Sequence, residues 1–244
     1  MNKAEKIRIG VLGYGKLGRF IVKQILSSAE EDNIELSFIW NRSKIVEPFE
    51  NQNNKPLILE SFDDISKLSK PVHLVIEVCH PNIVHQDGET ILKSSNLLIG
   101  SPVALMDDNL REKLLNISKQ NGKRLFVATG ALWGSSDIRR LSKLSLLQSA
   151  SIQMRFSPKA LRLVNLQDSD VKIEKIKNDE ILYSGTVRQL SKIAPNNVNT
   201  MACLALSGLG PDKTHGILIS DSKFVAFLNV FSNKITDCFF HFNF

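Results

Sequence analysis

Gly13, Gly15 and Gly18, in the run Gly-Tyr-Gly-Lys-Leu-Gly, are the residues of this sequence whose type and spacing most directly suggest chemistry. A turn of this kind, set between a strand and a helix, holds an anionic pyrophosphate. The first glycine permits the tight turn, the second lets a phosphate approach the backbone, and the third lets the helix pack on the strand. The helix that follows contributes N–H donors and the positive end of its dipole, so Lys16 and Leu17, which open it, complete the expected cradle. Further along stands Asn41-Arg42-Ser43, where an NAD-selective site places an acid on the ribose diol. Asn41 can still hydrogen-bond a hydroxyl, and Arg42 can pair with a 2′-phosphate in a bidentate way. NAD and NADP are therefore both expected cofactors. His80, in Cys79-His80-Pro81, either donates to cofactor or substrate or caps the next helix. Gly100-Ser101-Pro102 and Thr129-Gly130-Ala131 end two later strands and are expected to wall the rest of the pocket.

Positioning these residues requires strands that end on one side of a sheet. The first half of the chain alternates short apolar runs with amphipathic segments. Strands are expected at Ile7–Leu12, Leu36–Trp40, Pro56–Leu59, Leu74–Cys79, Leu97–Gly100 and Arg124–Thr129. Helices are expected at Leu17–Leu26, Ser61–Leu68, Ile83–Lys93 and Asp107–Gln120, the first with an apolar face of Leu17, Phe20, Ile21 and Ile25. Uniformly apolar strands, each followed by a helix, imply a doubly wound parallel sheet of the Rossmann type. From about Ala131 the pattern changes. A helix at Asp137–Leu147 is followed by alternating runs at Ser151–Phe156, Val171–Lys177 and Ile181–Val187, with Asn178-Asp179 as a turn, then a helix at Asn199–Leu206 and a strand at Ile217–Ser220. The fold class is thus α/β, with a Rossmann domain over residues 1–132 and a second α+β domain of mixed sheet over 133–244. Seven of the 13 phenylalanines fall between Phe224 and Phe244 without a clean period, which reads as an edge strand plus a packed tail.

Composition narrows the function classes. With 244 residues, 43% apolar and 23% charged, the chain is that of a folded globular protein. The most apolar stretch, Phe224–Phe244, is interrupted by Asn229, Asn233, Lys234 and Asp237, and no apolar run follows the charged start, so no membrane association and a cytoplasmic location are expected. Cys79, Cys203 and Cys238 are odd in number and lack metal or disulfide spacing, so reduced thiols and no metal site are expected. The formal charge of +6 is scattered in ones and twos, without a basic run, which argues against a nucleic-acid partner.

Six motifs occur in order: Ile9-Gly10-Val11-Leu12-Gly13-Tyr14-Gly15, Trp40-Asn41-Arg42, Glu77-Val78-Cys79-His80-Pro81, Gly100-Ser101-Pro102, Gly130-Ala131-Leu132-Trp133-Gly134 and Ala194-Pro195-Asn196-Asn197-Val198-Asn199-Thr200. Together they resemble the aspartate dehydrogenase domain-containing proteins of animals, relatives of the prokaryotic L-aspartate dehydrogenases, over roughly Ile7 to Asp221. The resemblance implies NAD(P)-linked oxidative deamination of L-aspartate to iminoaspartate, or to oxaloacetate and ammonia, with a place in NAD biosynthesis in prokaryotic relatives. It implies a homodimer. It also implies cofactor contacts from Ala131 and Asn199, with Asn197 beside it; for the two asparagines a helix N-cap is the alternative reading.

The family places a catalytic histidine shortly after the strand that matches Ile217–Asp221, whereas this chain runs Ser222-Lys223-Phe224-Val225-Ala226-Phe227-Leu228-Asn229. His215 precedes that strand and His241 lies too far along, so neither takes the role. The segment from about Lys223 also lacks the family's closing helix, and an alternative exon or a faulty gene model is its expected origin. The catalytic residue is therefore left unassigned, with His80 as the remaining imidazole at a plausible position. Lys159, Arg162 and Arg188 are candidate clamps for substrate carboxylates. A catalytically impaired NAD(P)-binding protein, or a reductase with another substrate, are the competing readings.

Overall fold

The computed structural model describes residues 5–45, 55–129, 132–164, 180–221, 225–232 and 235–243. It divides into two units, 1–128 and 129–244. The first runs β1 (Ile7–Leu12), α1 (Lys16–Ser28), β2 (Ile34–Trp40), β3 (Leu57–Leu59), β4 (Leu74–Glu77), α2 (Pro81–Ser94), β5 (Asn96–Ile99), α3 (Asp108–Gln120) and β6 (Leu125–Val127). All six strands are parallel, in the order β3-β2-β1-β4-β5-β6. Parallel strands need crossover connections, and these cover the sheet with apolar residues; Val11, Leu12, Phe38, Ile39, Val75 and Ile99 are fully buried. The chain winds outward through β2 and β3, then restarts at β4 on the other side of β1. That reversal makes the carboxyl ends of β1 and β4 the switch point where such folds bind ligands.

The expected Rossmann architecture is thus present, with differences of detail. The buried residues of α1 are Gly18, Val22 and Ile25, while Leu17 and Phe20 are 57% and 60% exposed. Gly18 sets this phase: its missing side chain lets the helix close onto the glycine turn, which rotates the Leu17–Phe20 ridge outward. The stretch expected as a helix at Ser61–Leu68 forms a tighter 3-10 turn, Phe62–Lys67, because so short a segment gains too few hydrogen bonds to nucleate an α-helix.

The second unit comprises α4 (Ser135–Lys143), β7 (Leu147–Phe156), β8 (Glu180–Thr186), α5 (Val187–Ile193), α6 (Asn199–Ser207), β9 (Thr214–Ser220), β10 (Val225–Ser232) and β11 (Ile235–Asn243). Its five strands lie in the order β11-β10-β7-β9-β8, with β7 and β9 parallel and the other pairs antiparallel, which makes the sheet mixed as expected. α4 ends at Lys143 rather than reaching Leu147, because Ser145 takes a left-handed conformation and Leu147 begins β7. α5 was not legible as a helix; Thr186 caps it by accepting the Gln189 N–H, and Val187 and Leu190 are buried. The segments 171–177 and 178–179 lie outside the described residues. The Phe-rich region is not one strand and a tail: both of its runs pair, β10 between β7 and β11, with β11 at the sheet edge. Backbone ladders form there without a clean alternation of residue types, since each strand is paired along its length through main-chain groups.

α6 is the core helix of this unit, with Met201, Ala202, Cys203, Leu204 and Ala205 all buried. Burial pushes the Cys203 thiol up to about 12, which leaves it inert at neutral pH. Among the described residues no helix is long and apolar enough to cross a membrane, and no group of histidine, cysteine and acidic side chains is arranged to hold a metal ion.

Candidate functional site

The glycine turn joins β1 to α1 at the switch point. The Gly13 N–H donates to the Trp40 carbonyl at 2.8 Å, and the Val78 N–H donates to the Leu12 carbonyl at 2.9 Å, so the ends of β2, β1 and β4 converge here. Gly13 has φ +102°, a region that side-chain-bearing residues rarely enter, and a Cβ there would lie 2.7 Å from the Val78 carbonyl oxygen. A Cβ on Gly18 would overlap the Gly13 carbonyl. At Gly15 the situation is reversed: beyond its chain neighbours, a Cβ would meet no atom of the described residues within 4 Å. The turn therefore needs glycine at Gly13 and Gly18 for its own packing, while the space over Gly15 is open to a ligand.

Helix α1 starts at this open position. Its N-cap is Gly15, which has no side chain to satisfy the first-turn N–H groups, and no acid occupies that turn. The other helices of the unit are capped by side chains, α2 by His80 and α3 by Asp107. Lys16 and Leu17 are both exposed beside the turn. The donors and dipole of α1 fit a pyrophosphate. A dinucleotide thus matches the residues present: a backbone cradle with room above Gly15 and an uncapped, acid-free helix start.

Asn41 follows β2, where its side chain bridges two segments. Its Oδ1 accepts the Tyr14 N–H at 3.0 Å, and its Nδ2 donates to the Ser43 carbonyl at 3.0 Å. It thereby braces the glycine turn against the end of β2, and among the described residues retains one amide hydrogen and one lone pair for a hydroxyl. Arg42 is exposed next to it, and its charge partly offsets the upward push that burial and then Glu77 give the Cys79 thiol. His80 occupies the N-cap of α2, its Nδ1 accepting the Asn82 N–H at 3.2 Å. With Nδ1 so used, a neutral ring carries its proton on Nε2, which can donate to a ligand; capping and ligand contact are compatible.

The structure brings Gly13, Gly15, Lys16, Leu17, Gly18, Asn41, Arg42 and His80 to the carboxyl edge of the first sheet. Ala131 lies outside the described residues. Asn197 and Asn199 belong to the second unit, and neither caps α6, whose N-cap is Val198 without a side-chain bond. Asn197 is buried and accepts the Arg162 N–H at 2.8 Å while donating to the Ala160 carbonyl at 3.0 Å, which ties the Pro158–Arg162 loop to the start of α6. Asn199 Oδ1 is buried with no hydrogen-bond partner among the described residues, an acceptor that a ligand donor would satisfy. Two candidate carboxylate clamps are otherwise engaged. Arg188 makes a bidentate pair with Asp212 at 2.6 and 2.8 Å, and the Arg162 guanidinium donates to the carbonyls of Lys159 and Leu161. Lys159 is exposed on its 3-10 turn.

Sequence reasoning missed Glu77 as a working side chain. It ends β4 only 1% exposed, and its carboxylate accepts four hydrogen bonds. Burial pushes its carboxyl above the usual range, with the donors of Cys79, Ser101 and His80 acting against it. The available signal was a lone acid closing the otherwise apolar run Leu74-Val75-Ile76.

Two family descriptions match the units in turn: the homoserine dehydrogenase NAD binding domain over residues 13–128, and the aspartate dehydrogenase C-terminal domain over residues 137–229. With the switch-point turn already in place, the class is that of NAD(P)-dependent oxidoreductases. The aspartate dehydrogenase domain-containing protein of Danio rerio is 38% identical over 88% of this chain and 77% of its own length. The L-aspartate dehydrogenase of Nitrosopumilus maritimus is 27% identical over 88% of this chain and 78% of its own. The crystal structure of aspartate dehydrogenase from Thermotoga maritima shares the fold, with a TM-score of 0.74 at 21% identity over 98% of this chain and 90% of that one. The chain belongs to the aspartate dehydrogenase domain-containing protein family.

Proposed function

We propose that this protein is an NAD(P)-dependent L-aspartate dehydrogenase. The overall change removes a hydride from the Cα of L-aspartate and a proton from its amine, giving iminoaspartate and reduced cofactor; water then converts the imine to oxaloacetate and ammonia. The observation that carries the reading is the glycine turn, closed by packing at Gly13 and Gly18 and open over Gly15 at the sheet's switch point. Bound there, the nicotinamide dinucleotide supplies the hydride acceptor. The chain's own groups do the rest: the α1 N-terminus and the Gly15 backbone hold the pyrophosphate, and Asn41 and Arg42 the adenosine ribose and its 2′ substituent, while the family resemblance gives Asn199 a cofactor contact. Ala131 is assigned a cofactor contact with them by the family resemblance, and Asn197 holds the loop beside Asn199. Lys159 is the candidate cation for a substrate carboxylate, and His80 Nε2 the candidate proton-carrying group. A cytoplasmic enzyme, homodimeric and supplying NAD biosynthesis, is the setting that the family resemblance supports.

Arg42 carries the NADP half of the reading. Arg42→Ala is expected to raise the Kd for NADPH about tenfold, equivalent to about 1.4 kcal/mol, and to leave the Kd for NADH within about twofold. Fluorescence titration of both reduced cofactors checks this; equal shifts for the two would remove Arg42 from 2′-phosphate recognition.

The activity is tested by adding L-aspartate to protein with NAD or NADP and following absorbance of the reduced cofactor. Reduction with L-aspartate but not L-malate supports the proposal. A second reading has one specific observation in its favour, the run Ser222–Asn229 without a histidine. It is a cofactor-binding protein that has lost turnover, since removing a general acid or base lowers rates by about a hundred- to ten-thousandfold while leaving binding intact. Cofactor binding without reduction by L-aspartate would favour it, and reduction by a different substrate would favour a reductase of other specificity.

A further inference from the structure

Glu77 is set where a carboxylate is costly, 1% exposed at the end of β4. Removing a charged carboxylate from water costs several kcal/mol in general, and the geometry around it offsets that cost with donors alone. Oε1 accepts the N–H groups of Cys79 at 2.7 Å and His80 at 3.0 Å, together with the Ser101 hydroxyl at 3.0 Å. Oε2 accepts the Ser101 N–H at 3.0 Å. The main chain of the same residue adds a further tie, its carbonyl accepting the Gly100 N–H at 2.7 Å. One residue therefore joins the loop after β4, which leads into α2, to the turn after β5. Gly100 has no side chain for a reason: a Cβ there would overlap the Glu77 carbonyl.

In a doubly wound sheet the residue ending β2 faces the adenosine ribose, so the other half of a dinucleotide falls on the β4–β5 side of the switch point. We propose that Glu77 is a positioning residue, which locks the loops after β4 and β5 into one wall for the nicotinamide half of the cofactor. The inference rests on the cofactor reading above. Glu77 acts through those loops and does not touch the ligand, because it is only 1% exposed and both of its oxygens already accept protein donors.

Among the described residues, the Cys79 thiol feels the Glu77 charge, the His80 backbone N–H donates to it, and Arg42 acts on Cys79 from the end of β2. Protonation of Glu77 would turn an acceptor toward an N–H donor and loosen the wall. Its raised pKa sets the sign for folding, and its set of N–H and O–H donors sets the sign for binding. The stability this group contributes is present below the ordinary carboxylate range and is lost as pH rises through its folded value. Cofactor affinity runs the other way and weakens as pH falls through that value.

The test compares two ligands, NADH and ADP-ribose, which lacks the nicotinamide. Glu77→Gln keeps the shape but presents an amide N–H₂ to N–H donors. It is expected to raise the Kd for NADH about tenfold and leave that for ADP-ribose within about twofold. The wild-type fall in NADH affinity at low pH is expected to vanish in the variant. Should Glu77→Gln fail to fold, Ser101→Ala removes a single hydroxyl donor and is expected to give a smaller shift, about threefold, confined to NADH. Equal shifts for both ligands, or none for either, would overturn the inference. Wild-type protein that binds ADP-ribose or NADH keeps the cofactor reading whatever the variants do; wild-type protein that binds neither overturns that reading and the inference with it.

Discussion

Gly18→Ala is expected to destabilise the protein by about 3 kcal/mol and to lower its Tm by roughly 10 °C. The ordinary effect of such a change in a helix is the reverse, because alanine has the higher helix propensity by about 1 kcal/mol. Here the added methyl overlaps the Gly13 carbonyl, a backbone atom that cannot rotate aside. Gly13 is fixed in turn by its bond to the Trp40 carbonyl at 2.8 Å and by the Val78–Cys79 backbone against it, so relief requires α1 to lift from the sheet. Val22 and Ile25, buried on the same helix face, would then lose contact with β1 and β2. Calorimetry of the cofactor-free protein checks this. A Tm within about 2 °C of wild type would show that the helix does not pack on the turn as described.

The second large effect separates binding from folding. Gly15→Val places a branched side chain where a Cβ meets no atom of the described residues beyond its neighbours within 4 Å, at φ −77° and ψ −162°, an extended conformation that valine adopts readily. Folding should tolerate it, with a Tm within about 3 °C of wild type. The new methyl groups stand in the space over the α1 N-terminus, and a pyrophosphate can no longer reach its N–H groups. A rise of at least about a hundredfold in the Kd for NADH is expected, equivalent to about 2.7 kcal/mol. Two glycines three residues apart are thus expected to fail in different ways, Gly18 by stability and Gly15 by binding.

What could be read from the sequence follows the range of the interactions involved. The glycine turn is a local object, a strand, a turn and a helix contiguous from Ile7 to Ser28, and each glycine's role follows from its place in that run. The parallel sheet was legible because buried strands are uniformly apolar. The phase of α1 was not, since its apolar residues allow two faces and Gly18 decides between them through contact with Gly13. Glu77 was hidden for a related reason: its Ser101 donors lie 24 residues away, on the next strand's turn. Asn41 reaches Tyr14 across 27 residues, and Arg188 reaches Asp212 across 24. A side chain's spare hydrogen-bonding capacity depends on such distant partners, so candidate ligand groups can be named from sequence while their availability cannot. Asn197 and Asn199, in the motif after Pro195, illustrate this. They look alike in the motif, yet Asn197 is consumed by the Ala160–Arg162 loop and Asn199 retains an unfilled acceptor.

The first unit is proposed to hold a nicotinamide dinucleotide at the Gly13–Gly18 turn. A titration of the purified protein with NADH, followed by nicotinamide fluorescence or by heat, tests it most directly. Saturable binding of one NADH per chain is expected at micromolar to sub-millimolar concentration, abolished over the same range in the folded Gly15→Val variant. Binding that survives in Gly15→Val unchanged, or the absence of saturable binding to the wild type, would contradict it.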